Sequence, residues 1–209
     1  MDREIGNKSF PIWLLGDSNP PQSQDKLNSP LDARHPIRHN IWTSVLDVIQ
    51  DRVYRERRLR VSTNDIYIRN AVDDPDFRPD KKILAWSENV NSEIAKFAQL
   101  LNENQPRLIL SFGAFAYEFG RRAHCEEPAK IVDYWRTKQL GDEFRRKVDV
   151  FNPGEINLFP LLHRSVAGGY YLSSHKAFCP SENANYFEFV GEKIAGLLLK
   201  FQGELPIWI

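Results

Sequence analysis

The chain has 209 residues, of which 42% are apolar and 12% aromatic, which is enough apolar material to close one sizeable core. Lysine plus arginine equals aspartate plus glutamate at 28 each, and this balance excludes an overall field that would draw the chain to nucleic acid or to an anionic membrane. The only two cysteines, Cys125 and Cys179, exclude a disulfide framework and a four-cysteine metal site, and they favour a reducing, cytoplasmic location.

Four short apolar runs, each followed by a polar or glycine-containing turn, are predicted to be buried strands. In chain order they are PIWLLG (11–16), DIYIRNA (65–71), RLILSFG (107–113) and INLFPLL (156–162). Segments with the apolar spacing of helices lie between and after these runs, at residues 41–49, 90–101 and 187–198. This alternation predicts an α/β fold in which helices cover both faces of a four-stranded, mainly parallel sheet.

Residues 121–150 form a long, charged segment that is predicted to be helical. We interpret it as an insertion packed on the sheet, within a single domain that spans residues 1–209. Residues 124–127 are consecutive possible metal ligands, but consecutive side chains rarely converge on one ion. The segment therefore gives no reason to expect a metal site. No apolar run in the chain approaches the roughly 20 residues that cross a bilayer, so we expect no membrane association.

Ligands of parallel α/β sheets bind at the loops that follow the carboxyl ends of the strands. Here the first strand leads into GDSNPP (16–21), and the second ends at Asn70. The third leads into FGAFA (112–116), and the fourth into LLHRSVAGGYY (161–171). These loops supply an acid, amides, hydroxyls and an imidazole, so we expect the candidate site at this edge of the sheet.

These loops, in this order, resemble those of the uracil-DNA glycosylase superfamily, whose members remove uracil or damaged bases from DNA. Asn19-Pro20 is similar to the Asn-Pro of the family's Gly-Ile-Asn-Pro-Gly turn, and HPIRHNIWTSVL (35–46) to its Pro-rich loop and the following helix. The stretch around Asn70 is similar to its Leu-Leu-Leu-Asn-Ala-Val segment. LSFGAFAYEFG, LLHRSVAGGYYLSSHKAF and GELPIWI resemble, in turn, its Trp-Gly-x-x-Ala turn, its His-Pro-Ser loop with the stretch behind it, and its Pro-Ile-x-Trp tail. The resemblance covers residues 12–209 apart from the insertion.

The resemblance implies a three-layer α/β/α fold and hydrolysis of the N-glycosidic bond to uracil or a related base in single- or double-stranded DNA. Asn19 or Asp17 would then hold the attacking water. His163 would donate a hydrogen bond to the negative charge on the departing base. Asn70 would read the base edge, because a side-chain amide offers one donor and one acceptor group on a rigid plane. None of these roles needs a cofactor, so none is expected.

Phosphate and base contacts follow from the same resemblance. Ser18, Ser165 and Arg164 would bind phosphates beside the flipped nucleotide. The family's stacking aromatic is expected between residues 22 and 39, where His35 is the only ring. Arg164 stands where the family has proline, and the residue at the family's apolar wedge is a small alanine. These departures leave open a second function, a member of the same fold that binds nucleic acid or a nucleotide without cleaving it.

Two other patterns have competing interpretations. Gly-Asp-Ser at 16–18 resembles the first block of SGNH esterases, in which Ser18 would be the nucleophile, but that family's Asp three residues before the catalytic His is absent here. RVYRERRLR (52–60) is compatible with a nucleic-acid patch containing a tyrosine, although a solvated helix end with arginines near the C-terminal dipole is favoured.

Overall fold

The computed structural model of the protein describes residues 4–18, 43–167, 172–180 and 185–209. Within these ranges the chain is an α/β protein with a five-stranded mixed sheet and seven α-helices. The strands are β1 (Glu4–Ile5), β2 (Ile12–Gly16), β3 (Tyr67–Asn70), β4 (Leu108–Phe112) and β5 (Asn157–Leu161). The helices are α1 (Thr43–Arg57), α2 (Glu88–Asn104), α3 (Ala114–Ala123), α4 (Thr137–Asp149), α5 (Arg164–Ala167), α6 (Leu172–Phe178) and α7 (Tyr186–Lys200). In this part of the chain no helix has the length and apolarity to cross a membrane.

The strand order in the sheet is β1-β3-β2-β4-β5. β2, β3, β4 and β5 are mutually parallel, as predicted from their apolar runs. The prediction of four strands is wrong by one, because β1 pairs antiparallel with β3, with Glu4 opposite Arg69. β1 has only two residues and no apolar alternation, so it carries no strand signal of its own.

Helices pack on both faces of the sheet, as β5 shows. Phe159 contacts Phe144 of α4, with ring centroids 5.7 Å apart. The preceding residue, Leu158, points to the opposite face, because successive side chains of a strand alternate. There its methyl carbons lie 3.0 Å from the position that a Cβ on Gly120 of α3 would occupy. Glycine at this position therefore lets α3 approach the sheet closely.

The core lies between these layers and is rich in aromatic rings. Trp13 of β2 packs on Tyr67 of β3 with a centroid separation of 4.5 Å, and on Phe97 of α2 at 6.2 Å. Helix α2 also buries Val90 and Leu101, the spacing that predicted it. Tilted aromatic pairs of this kind add to the stability that burial alone provides.

The segment 121–150 contains the end of α3, a 3-10 turn at Val132–Tyr134, and α4. Trp135 and Phe144 are buried, as expected for the apolar residues of this segment. α4 packs against β5, at the edge of the sheet, and against α6. The segment thus forms part of the wall around the carboxyl ends of the strands.

Candidate functional site

A cavity of about 620 Å³ opens at the carboxyl ends of the strands. β2 and β4 are neighbours in the sheet, and the chain continues from them in opposite directions along the strand order. From β2 it runs to β3, and from β4 it runs to β5, so the two connections diverge between β2 and β4. Ligands of open α/β sheets bind at such a divergence. The cavity is lined by loops that follow β2, β3, β4 and β5 and by the start of α4.

Asp17 lines the cavity directly after β2. Its backbone carbonyl accepts a hydrogen bond from the N–H of Val72 at 3.2 Å, which holds the turn against the end of β3. The side chain is 14% exposed, and Oδ2 lies 3.6 Å from Nη1 of Arg78. Oδ1 is buried, and no described residue donates a hydrogen bond to it. A buried carboxylate oxygen without a donor is available to water or to a ligand in the cavity.

His163 lines the same cavity, two residues after β5. Its Nδ1 accepts a hydrogen bond from the backbone N–H of Ser165 at 3.3 Å and lies 2.9 Å from Oγ of the same serine. A backbone N–H can only donate, so Nδ1 must be an acceptor and the proton of the neutral ring is assigned to Nε2. The imidazole is therefore a hydrogen-bond donor at Nε2.

Gly113, between β4 and α3, sets the space available to His163. Its φ of +96° is a backbone conformation that side chains with a Cβ rarely adopt. A Cβ at this position would lie 2.8 Å from Cβ of His163. The Gly113 N–H donates to the carbonyl of Leu161 at 2.8 Å, which fixes the turn to the end of β5. Glycine is thus required both by the turn and by the neighbouring histidine.

The structure brings together three of the residues predicted from the sequence, since Asp17, His163 and Ser165 all line the cavity. Ser18 is partly buried and is not among the lining residues. Asn70 also lies outside the lining.

The reason for the position of Asn70 is its register in the sheet. It stands opposite Gly16 in the parallel β2–β3 ladder, and only 8% of it is exposed. A Cβ on Gly16 would lie 2.2 Å from Oδ1 of Asn70, so the amide covers the glycine at the base of the Asp17 turn.

The side chains of three further predicted residues lie outside the described part of the chain. Asn19 and His35 lie outside the described residues. Arg164 is the first residue of α5, and its side chain is not described. The roles implied for them therefore stay predictions.

Two aromatic side chains in the cavity wall were not identified from the sequence. Phe115 is the second residue of α3. Trp135 lies in the segment 121–150, which we interpreted as an insertion packed on the sheet. Both are largely buried, and each lines the cavity. Apart from being aromatic, neither residue has a feature in the sequence that predicts a position in the cavity wall.

Charged side chains at the cavity were also missed. Arg78 and Lys81 follow β3, and Arg136 immediately precedes α4. These cations and the carboxylate of Asp133 are lining residues, as is Asp17. The N–H of Asp133 donates to the carbonyl of Lys81 at 2.9 Å, which joins the two segments into one wall. No sequence spacing predicts this contact.

A fully buried carboxylate holds this wall to α3. Oε2 of Glu118 accepts hydrogen bonds from Nη1 of Arg121 at 2.8 Å and from the indole N–H of Trp135 at 2.7 Å. Oε1 accepts from Nε of Arg122 at 3.1 Å and from the backbone N–H of Lys130 at 2.7 Å. The negative charge is thus compensated by hydrogen bonds and by two guanidinium groups, as a buried charge requires.

Glu126 extends this network toward α4. Burial raises the pKa of its carboxyl group. Hydrogen bonds from His124 and Lys147 and the charges of Lys147 and Arg121 lower this pKa by a larger amount, so that it is about 2 instead of the usual 4.5. The Lys147 Nζ lies 2.6 Å from Oε1 of Glu126. Glu126 therefore stays charged across the neutral range and links α3 to α4.

Among the described residues, no group of three His, Cys, Asp or Glu side chains is arranged to hold a metal ion. No protein-family model matches the chain, and no curated protein matches it. The cavity and the side chains that line it are therefore the features from which a function can be inferred.

Proposed function

We propose that the chain is a DNA glycosylase-like enzyme that hydrolyses the N-glycosidic bond to uracil or a related base in DNA. The observation that carries this proposal is that one cavity contains both a carboxylate oxygen of Asp17 that receives no hydrogen bond from any described residue and an imidazole N–H donor, in His163. The assignment of the sheet to a uracil-DNA glycosylase-like, three-layer α/β/α fold is part of the same proposal. It is supported by the four parallel strands and by the helices on both faces.

The proposed role of Asp17 is to hold the attacking water. Its Oδ1 accepts a hydrogen bond from the water and directs a lone pair of the water oxygen toward the sugar carbon. Asn19, two residues further along the chain, is the other candidate for this role. Asp17 is the stronger base of the two, because a carboxylate binds a proton and an amide does not.

The proposed role of His163 is to stabilise the departing base. As the N-glycosidic bond breaks, negative charge develops on the base, and the Nε2–H donates a hydrogen bond to it. The backbone N–H of Ser165 fixes the tautomer that has this donor. A donor held in place before the reaction avoids the cost of orienting it during the reaction.

The walls of the cavity suit a planar base with attached phosphates. Enzymes that extract a base from the stack hold it between aromatic or apolar side chains, and Phe115 and Trp135 are such side chains here. The ammonium group of Lys81 and the guanidinium group of Arg136 are available to phosphates near the flipped nucleotide, and Arg78, which is paired with Asp17, adds a third positive charge to the cavity wall. The base-reading role of Asn70, and the phosphate- and base-binding roles of Ser18, Ser165, Arg164 and His35, are proposed on the resemblance alone.

Oligonucleotides containing uracil, hypoxanthine or xanthine, each single- and double-stranded, test the proposal. After incubation with the protein, alkali cleaves the strand wherever a base has been removed. We expect cleavage of at least one substrate, and a loss of about 100-fold or more in rate for Asp17→Asn, the size typical of a positioned acid–base group. Asp133→Asn, a second carboxylate of the cavity wall, is the matched control and should retain most of the activity. The absence of alkali-labile sites on every substrate would exclude the proposed reaction.

A second candidate function is binding of nucleic acid or a nucleotide without cleavage. The ion pair between Asp17 and Arg78 favours it, because a carboxylate that holds a guanidinium at 3.6 Å has a structural partner in place of a catalytic one. Retention of oligonucleotide binding without any alkali-labile site would support this function.

The esterase alternative has less support. Ser18 does not line the cavity, and within the described residues it forms no hydrogen bond with a histidine. A serine-reactive phosphonate should therefore leave Ser18 unlabelled.

A further inference from the structure

A cluster of arginines surrounds an exposed tyrosine at the end of α1. We call this cluster the arginine surface and define it as Tyr54, Arg57, Arg58 and Arg60, all of them exposed. None of these three arginines forms an ion pair with any described residue. By contrast, Arg55 is paired with Glu192, as are other nearby cations with their own carboxylates. The charges of these three side chains are therefore not compensated by a direct ion pair with a described residue.

The arginine surface is organised by the fold. The guanidinium carbons of Arg58 and Arg60 lie 5.2 and 5.0 Å from the centroid of the Tyr54 ring, at cation–π distance. The backbone of Arg60 is fixed by a pair of hydrogen bonds with Ile209, at 2.9 and 2.8 Å. Ordering these side chains before binding reduces the entropy that a ligand must overcome.

The next residue reinforces this arrangement. Val61 exchanges two hydrogen bonds with the side-chain amide of Gln50 on α1, at 2.9 and 2.8 Å. The segment that carries Arg60 is thus attached both to α1 and to the end of the chain. The spacing between the guanidinium groups and the ring depends on these contacts.

The arginine surface lies at the end of the sheet where the parallel strands begin, whereas the cavity lies where they end. α1 connects the carboxyl end of β2 to the amino end of β3, which is parallel to β2. The end of α1 is therefore near the amino ends of the strands. A five-residue strand is about 17 Å long, which is the approximate separation of the two ends of the sheet. The arginine surface and the cavity are separate sites.

We propose that the arginine surface binds the sugar–phosphate backbone of nucleic acid, with a base stacked on Tyr54. Guanidinium groups donate paired hydrogen bonds to phosphate oxygens, and a tyrosine ring among cations is a stacking platform for unpaired bases. The proposal goes beyond the excision reaction and does not depend on it. It assigns the chain a nucleic-acid contact of its own, at the end of the sheet away from the cavity.

The test measures binding of a fluorescein-labelled, undamaged 30-nucleotide single strand by fluorescence anisotropy at several salt concentrations. The variant removes the three charges together, as Arg57→Gln, Arg58→Gln and Arg60→Gln. The control removes three surface cations that are already paired with carboxylates, as Lys8→Gln, Lys96→Gln and Arg146→Gln. Both proteins lose the same charge, so a difference between them reports on position and not on net charge.

Each phosphate interaction with a single strand contributes about 0.7 to the steepness with which the logarithm of the association constant falls with the logarithm of salt concentration. We therefore expect this slope to become shallower by about two in the arginine-surface variant, and by much less in the control. Tyr54→Ala should weaken binding about fivefold or more, because the base then has no ring to stack on. Thermal unfolding of each variant shows that the fold is retained. Equal changes in variant and control, an unchanged slope, or no binding by the unmodified protein would overturn the proposal.

Competition by polyglutamate distinguishes nucleic-acid binding from binding of any polyanion, and the excision assay tests the proposed reaction separately. Polyglutamate, a polyanion without phosphate or bases, should compete poorly for the labelled strand, and equal competition would overturn the nucleic-acid assignment. Because the strand is undamaged, the result does not depend on excision. Failure of the excision assay, with the slope effect intact, would exclude only the proposed reaction.

Discussion

The indole N–H of Trp135 donates a hydrogen bond of 2.7 Å to the carboxylate of Glu118, and both residues are buried. Glu118 belongs to α3, which begins at the cavity with the turn of Gly113, whereas Trp135 belongs to the segment that forms the opposite wall. The contact therefore fixes the distance between two walls of the same cavity.

Glu118→Ala is expected to destabilise the protein strongly. It leaves the buried Arg121 guanidinium, the partly buried Arg122 guanidinium and two N–H donors without their acceptor, and breaking a buried charged network in this way typically costs about 3–5 kcal/mol. Urea unfolding measures the change. Glu155→Ala, which removes an exposed carboxylate, is the control and should change the free energy of unfolding by less than about 0.5 kcal/mol. Similar stability for both variants would show that Glu118 does not hold the wall.

Gly113→Ala is expected to lower the free energy of unfolding by about 1–3 kcal/mol, because its φ of +96° combined with its ψ of 168° is a backbone conformation essentially restricted to glycine. The new Cβ would also collide with the side chain of His163, which must move. Thermal unfolding measures the first effect, and a shifted NMR signal of the His163 ring measures the second. Gly203→Ala is the control, because nothing lies within 4 Å of its Cβ position. An unmoved His163 signal would contradict the role assigned to this glycine.

His163→Ala is expected to slow excision about 100- to 1000-fold, the typical loss when one donor to a developing anion is removed. Ser165→Ala should have a smaller effect, because its backbone N–H still holds Nδ1 of His163. Single-turnover rates on whichever substrate the unmodified protein cleaves provide the measurement. If both variants lose the same activity, the serine hydroxyl has a role of its own in the reaction.

Glu126 makes stability depend on pH in the acid range. Its folded-state pKa of about 2 lies below the ordinary 4.5, so the unfolded chain binds more protons between these values and stability is lost as the pH falls through them. The full contribution, about 3 kcal/mol, is present above pH 5. Glu126→Gln should therefore be less stable than the unmodified protein at pH 7, and the difference should shrink steadily toward pH 2. A difference that is constant with pH would contradict the assignment.

The strands that form the site were predictable because they are buried on both faces and read as continuous apolar runs. Once β2 and β5 are known to be parallel, their following residues must meet at one edge, which is why Asp17 and His163 could be paired from the sequence. The position of Asn70 could not be predicted in the same way. It depends on a register with Gly16 that only the assembled sheet defines.

The side walls of the cavity were harder to predict than the residues directly after the strands. Arg78 and Arg136 come from loops that are far apart in the chain and are joined by a single backbone hydrogen bond between Asp133 and Lys81. Glu118 and Trp135 each have an ordinary helical or apolar appearance in the sequence. Their importance comes from burial and from the donors that surround the carboxylate, which are properties of the three-dimensional structure.

The short strand β1 has a consequence for the solution behaviour of the protein. An open strand edge displays unpaired N–H and carbonyl groups that can pair with another molecule, and natural proteins protect such edges. The two residues Glu4 and Ile5 occupy the outer side of β3 opposite Arg69 and Ile68, and Glu4 also carries a charge there. This small element therefore acts as a cover that disfavours edge-to-edge aggregation.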